Sequence, residues 1–360
     1  MSDQPQGQAR RLNYGKTLLI GFGFFGISVM WTLYNAYVPI FLQAGNPSFN
    51  APDEVGFGLR AGLTGLIMTL DNVAAFFLIP LIGMWSDRVW TRFGRRKPFI
   101  LALAPISIAA FILIPVAVNR IPPEMSGETG RLGSTLAFFM AAVGVYITAM
   151  AAFRTPIITL MPDLTPSPLR SQANGVINLM GGIGTLIATV ASGFLYQQGR
   201  IVPFAFGAIL MIIAVLMLFV FVRERREFET VEREGGLFAL GGLQRITAEG
   251  RRSLLFLMGA IFCWFVGYNA VETFLSSYGV SVLGLSTGQA PLLMGVASLA
   301  FLIFAVPAGF IADRLGRRRT IITGLTVFGT LLLVNFFLQN PTLIWPILAI
   351  GGMGWALVNI

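Results

Sequence analysis

Three ionisable side chains, Asp71, Arg154 and Glu272, stand inside stretches that are otherwise almost wholly apolar. A carboxylate so placed can take up and release a proton or hold a cation. A guanidinium can orient a polar partner or bias a neighbouring carboxylate. Apolar surroundings favour the neutral carboxyl and a nearby guanidinium favours the carboxylate, so an arriving molecule could switch the proton on or off. Burying one charge in hydrocarbon costs at least ~2.5 kcal/mol on the mildest insertion scale, so such residues tend to be functional. Two plainer readings stand beside this one: a structural hydrogen bond from Asp71 to a neighbouring helix, and a Glu272 placed at the outer water interface. Other chemistry is excluded by composition. The chain has no His and one Cys, Cys263, which rules out an internal disulfide, a His/Cys metal site and nucleophilic sites built on His or Cys.

A second set of polar and aromatic side chains repeats. Trp31-x-x-Tyr34-Asn35-Ala36 is echoed by Trp264-x-x-x-Tyr268-Asn269-Ala270. Aromatic faces with amide partners suit a sugar-like molecule, which offers C–H faces and hydroxyl edges. The plainer reading is helix packing and interfacial belts, where Trp and Tyr are enriched.

The elements that carry these residues follow from composition. Of 360 residues, 55% are hydrophobic and 11% charged, and the mean hydropathy is +0.76; ordinary soluble domains carry roughly 25% charged residues. The apolar excess falls in blocks near the ~20 residues that cross a bilayer as a helix. Backbone polar groups cannot be left open in lipid, so an all-α polytopic bundle is expected. Ten spans are read near 17–43, 62–85, 98–119, 134–160, 171–197, 202–222, 254–283, 289–311, 320–338 and 342–360. Alternate loops hold most of the Arg and Lys: Arg88, Arg92, Arg95, Arg96 and Lys97, then Arg170, then Arg223 to Arg252, then Arg314, Arg317, Arg318 and Arg319. The positive-inside rule places these loops, and the N-terminus, in the cytoplasm. It also accounts for the net charge of +9 without nucleic acid. Arg10, Arg11 and Lys16 precede an apolar stretch too long for a signal peptide, which is read as an uncleaved first span.

By helical rise, Asp71 and Glu272 lie about 20 and 27 Å from the cytoplasmic ends of their spans, and Arg154 about 10 Å. A direct Asp71–Arg154 salt bridge is not required by these heights. The mixed-sign run after Arg223 reads as a solvated linker, which divides the chain into 1–222, a linker 223–252 and 253–360. The halves repeat: Gly83-x-x-x-Asp87-Arg88 with Gly94-Arg95-Arg96 closes the second span, and Gly309-x-x-x-Asp313-Arg314 with Gly316-Arg317-Arg318 closes the eighth. Two parallel six-helix repeats explain these echoes. Only four spans follow the linker, so the expectation is a C-terminal repeat lacking its last two.

The stretch from Gly83 to Pro98 and its shorter form from Gly309 to Arg319 resemble the loop 2–3 signature of the major facilitator superfamily. With Asp71-Asn72, Arg154-Thr155-Pro156, Met161-Pro162-Asp163 and Leu169-Arg170-Ser171-Gln172, the chain is similar to the glycoside/cation symporter-like group and its sucrose-transporter-related branch. The resemblance implies a major facilitator fold and a carrier working by alternating access, not an enzyme. In such a carrier the buried charges read above give the candidate cation and substrate site, Asp71 or Glu272 for the cation with Arg154 and Asn72 beside them, and the repeated Trp31, Tyr34, Asn35, Trp264, Tyr268 and Asn269 give its candidate lining. The resemblance implies a gate at Gly83, Asp87, Arg88, Gly94, Arg95, Arg96, Asp163, Arg170, Gly309, Asp313, Arg314, Gly316, Arg317 and Arg318, with the two glycines admitting close helix approach. The plainer reading of the arginines is topology and anionic lipid.

Gly175, Gly181, Gly182, Gly184 and Gly193 make a close-packing face on the fifth span, and no Gly-Pro step of the antiporter kind interrupts it. The expected activity is sugar or glycoside symport with H⁺ or Na⁺, against a proton-driven drug or metabolite exporter as the alternative. No metal and no cofactor beyond the coupling ion is expected. The expected partners are membrane lipid and a small molecule, in a monomeric protein of the cell membrane.

Overall fold

The computed structural model describes residues 12–222, 224 and 248–359. Ten α-helices order them: α1 (Tyr14–Gln43), α2 (Ala61–Arg88), α3 (Lys97–Val118), α4 (Gly133–Leu164), α5 (Arg170–Leu195), α6 (Ile201–Phe221), α7 (Ala248–Ser281), α8 (Pro291–Leu315), α9 (Arg317–Leu338) and α10 (Ile344–Val358). Among the described residues there is no strand beyond an isolated bridge from Thr91 to Gly94. α1 to α9 are long and apolar enough to cross a membrane, and α10 is shorter. Its 15 residues rise about 22 Å, less than a hydrocarbon core of ~30 Å. Nine of the ten expected spans are thus long enough to cross, and the tenth is a shorter apolar helix among the described residues. α7 also begins inside the stretch read as linker, whose remainder, Glu224 apart, lies outside the described residues.

The packing is that of a membrane bundle. Phe76 on α2 is 75% exposed and Phe337 on α9 is 78% exposed; large aromatic rings turned outward at this level face lipid, not water. α1 is the axis of the first six helices and packs on α4, α5 and α6. Val29, Leu33, Tyr37 and Phe41 on it are fully buried or nearly so. A smaller core in the last four helices gathers Leu275, Leu293, Met294 and Leu348. The two groups meet chiefly where α1 lies on α7 and α5 lies on α8.

Glycine governs the α5 seam. A side-chain carbon at Gly182 would press on Leu302 at 2.7 Å, and one at Gly193 would stand 3.1 Å from the carbonyl oxygen of Gly288. Gly184 meets the backbone of Phe25 in the same way, whereas Gly175 faces open space. The glycine face expected on the fifth span is therefore a contact surface over most, but not all, of its length.

Candidate functional site

The polar residues inside the bundle converge between α1, α2, α4 and α7. Asn35 on α1 and Tyr268 on α7 stand within hydrogen-bonding reach of the Glu272 carboxyl, and the charges of Arg154 on α4 and Asp71 on α2 both act on it. Arg154 acts on Asp71 as well. Asp71 is buried and accepts a hydrogen bond from Asn72 Nδ2 at 3.0 Å. A cavity lined by Thr32, Asn35, Thr189, Glu272 and Ser276 continues the polar surface between α1, α5, α7 and α8. Thr32 Oγ1 donates to Thr185 Oγ1 at 3.2 Å along the same wall. Hydroxyl, amide and carboxyl groups thus share one chamber at the contact between the two helix groups, shielded from lipid by apolar helix faces.

The aromatic echo is geometric as well as sequential. Trp31 and Tyr34 rings are 5.8 Å apart at 30°, and Trp264 and Tyr268 rings 6.1 Å apart at 25°. Each tyrosine meets a second ring at 5.1 Å: Tyr146 of α4 for Tyr34, and Trp355 of α10 for Tyr268. The amides diverge. Asn35 is buried at Glu272, but Asn269 is exposed and gives its amide to Phe265 O at 2.7 Å, so the structure does not bring it to the chamber. Asn72 is exposed except for its bond to Asp71, and Arg154 is exposed at the chamber's edge.

At the arginine-rich end the first signature forms a closed network. Arg96, 0% exposed, places Nη2 2.6 Å from Asp87 Oδ1 and Nε 3.0 Å from Asp163 Oδ2, and donates to Ser86 Oγ. Arg95 adds a contact of 2.7 Å to Asp87. Glu224 accepts from the backbone N–H groups of Arg95 (2.6 Å), Arg96 (3.1 Å) and Lys97 (3.0 Å), capping the start of α3 with negative charge where the helix dipole favours it. Gly94 has φ +115°, and a side chain there would collide with that carboxylate. Arg170 folds back on the end of α4, donating to Pro162 O and Thr165 O. Arg88 is exposed.

The second signature differs. Asp313, Arg314, Gly316, Arg317 and Arg318 are exposed, and no ion pair among the described residues involves them. Neither signature glycine is required by a close helix approach. The nearest atom to a Cβ at Gly83 is 3.8 Å away, and none lies within 4 Å at Gly309. The first network ties α2, α3, α4 and the segment after α6 together within one helix group.

The opposite end is shut. Glu54 and Arg200 pair at 3.0 Å, fastening the α1–α2 loop to the start of α6. Burial works against the Arg200 charge, but Glu54 outweighs it and pushes the pKa of Arg200 above its ordinary value. The same loop presents Phe49 and Ala51 to Val280 and Ala290, closing the seam between the groups. Residue types gave no warning of Tyr146, Trp355, Glu224 or the Glu54–Arg200 pair. A lone ring in an apolar helix reads as packing, and loop charges read as solvated.

Among the described residues, two groups of apolar helices, nine of them long enough to cross a membrane, meet around a polar chamber closed at the Glu54–Arg200 end, and they define a multi-pass membrane protein. The chain belongs to the Major Facilitator Superfamily, whose profile it matches over residues 18–360. It is 27% identical over 233 residues to proton-associated sugar transporter A of Homo sapiens, a match covering 61% of this chain and 28% of that protein. It is 24% identical over 334 residues to the class E tetracycline resistance protein of Escherichia coli, covering 90% and 76%. The chain spans about a quarter of the length of the curated sugar-transporter relatives it matches. In fold it is similar to the partially occluded inward-open xylose transporter XylE from E. coli, with TM-score 0.63, 18% identity and coverage of 97% of this chain and 86% of that one.

Proposed function

We propose that the chain carries a sugar or glycoside together with a cation, taken to be a proton, by alternating access between two pseudo-repeats, 1–222 and 253–360, around the linker 223–252. The observation that carries this reading is the shared electrostatic environment of Asp71, Arg154 and Glu272 beside Asn35 and Tyr268. Two carboxyls answer to one guanidinium at the seam between groups that would rock, so movement changes how each carboxyl is compensated. Hydroxyls and an amide on the chamber wall suit a polyhydroxylated ligand, and Tyr268 stands at the Glu272 carboxyl beside them. The likeness to a proton-associated sugar transporter supports the same reading. The arginine-rich end is assigned to the cytoplasm, the protein to the cell membrane as a monomer, and the first network to holding the cytoplasmic end of the first helix group together as that group moves.

Uptake of a panel of labelled disaccharides into vesicles, with an imposed pH or Na⁺ gradient, tests the proposal. Gradient-driven accumulation should appear for at least one sugar and vanish in Asp71→Asn, while counterflow persists. Uphill accumulation at the unaltered rate in that variant removes Asp71 from the mechanism. A proton-driven drug or metabolite exporter is the second reading, favoured by the long match to a tetracycline resistance protein. It predicts gradient-driven extrusion of such compounds from cells and no sugar accumulation.

A further inference from the structure

Beside Asp71 stand two phenol hydroxyls with no protein partner. Tyr34 is 1% exposed and Tyr146 0%, yet neither Oη meets a donor or acceptor among the described residues. Their rings pack at 5.1 Å, with Tyr146 also 5.3 Å from Phe111. Asp71 acts electrostatically on both hydroxyls, while its carboxylate is bonded to Asn72 on its own helix. A buried hydroxyl left unsatisfied is costly, and phenylalanine would fill the same space without that cost. Tyr37, also 0% exposed, is provided for and donates to Ser192 O at 3.3 Å. Two orphaned donors within electrostatic reach of one carboxylate, on rings that pack together, are best explained by use in another state of that carboxylate.

We propose that Tyr146, together with Tyr34, is a positioning residue for Asp71: the two hydroxyls donate to the Asp71 carboxylate when it is charged, and let it go when it is neutral. Tyr146 comes from α4 and Tyr34 from α1, so the charged carboxylate would be drawn from Asn72 on α2 toward the α1–α4 contact. The inference rests on the reading of Asp71 as the coupling carboxylate, but its test does not need a known sugar.

The full chain in detergent is treated at neutral pH with dicyclohexylcarbodiimide, an apolar reagent that attacks protonated carboxyls, and modification of the Asp71 and Glu272 peptides is timed by mass spectrometry. Tyr146→Phe and Tyr34→Phe should each raise the rate at Asp71 by about five-fold, the equivalent of one ordinary hydrogen bond. The Glu272 rate should stay unchanged, and Tyr37→Phe should alter neither. Each Phe variant should remain folded, its melting lowered by no more than the loss of that one hydrogen bond. An unaltered Asp71 rate in both variants overturns the proposal, as does a rise shared equally by Glu272, which would mean general loosening. Failure of sugar uptake in the vesicle experiment would sink the transport reading and leave this result standing.

Discussion

Replacing Arg96 with Leu tests whether the buried network at the arginine-rich end holds the first helix group together. Arg96 is fully buried, 2.6 Å from Asp87 and 3.0 Å from Asp163, and those carboxylates are 29% and 30% exposed. At an effective permittivity near 20, each contact is worth about 5 kcal/mol before desolvation. Burying a guanidinium takes back several kcal/mol. Arg95 remains 2.7 Å from Asp87 but 3.9 Å from Asp163, so the loss falls mainly on Asp163. Removing one member of a buried pair costs roughly 3–5 kcal/mol, and the compensation by Arg95 places this variant near 3. At about 2–4 °C per kcal/mol for a unit of this size, melting of the purified protein, followed by intrinsic fluorescence, should fall by about 6–12 °C. Arg96→Lys keeps the charge but loses the fork that reaches both carboxylates and Ser86, so about half that loss is expected. A Leu variant that melts within about 2 °C of the unaltered protein would refute the reasoning.

The other expectations are shorter. Glu224→Ala strands three backbone N–H groups at the start of α3 and should cost about 1.5–3 kcal/mol, read as a lower melting temperature, with Glu224→Gln recovering part of it. Glu54→Ala leaves Arg200 unpaired and should loosen the α1–α2 loop by about 1–3 kcal/mol, seen as faster amide exchange over 44–60. Gly193→Val places carbon atoms against Gly288 O and Leu292. In a Cys263→Ser background carrying Thr189→Cys, it should therefore raise labelling by an impermeant maleimide several-fold from the Glu54 end. Labelling that stays at the level of the background protein would mean that this seam is not what seals that end.

What the sequence displayed and what it hid divide along physical lines. Apolar blocks and the asymmetry of basic loops reveal spans because lipid enforces helix on any long apolar run. They define ends poorly: α7 starts at Ala248, inside a polar stretch, because a helix can run on into water once nucleated. α10 starts late for the complementary reason, with Asn340 accepting from the backbone of Thr342 and Leu343 in a turn before it. Asp71, Arg154 and Glu272 were legible from type alone, since charge in an apolar run is expensive wherever it points. Asn269 shows the limit of the repeat argument. It follows its tyrosine as Asn35 does, but α1 is surrounded by α4, α5, α6 and α7, while α7 packs mainly on α1 and α8, with ring contacts to α9 and α10 that leave Asn269 exposed. Burial of the asparagine is set by what surrounds the helix, which no local pattern encodes.

On the proposed reading, the same consideration gives Arg154 more weight than its exposed position suggests. Asp71 belongs to the first helix group and Glu272 to the second, and Arg154 acts on both from the edge of the chamber. A guanidinium fixed on α4 moves with Asp71 and not with Glu272, so a rocking motion would preserve one interaction and change the other. On the proposed reading, the carboxyl across the seam is therefore the one whose charge state reports which side is open. The Asp71 site, with its hydroxyl donors on α1 and α4, travels as a unit. Glu272→Gln should accordingly alter the balance between inward- and outward-facing forms, read by labelling at both ends of the bundle. Asp71→Asn should leave that balance nearly unchanged while removing accumulation. If the two variants shifted the conformational balance equally, the division of labour between the carboxyls would be wrong, and Arg154 would have to be placed between them as a symmetric partner.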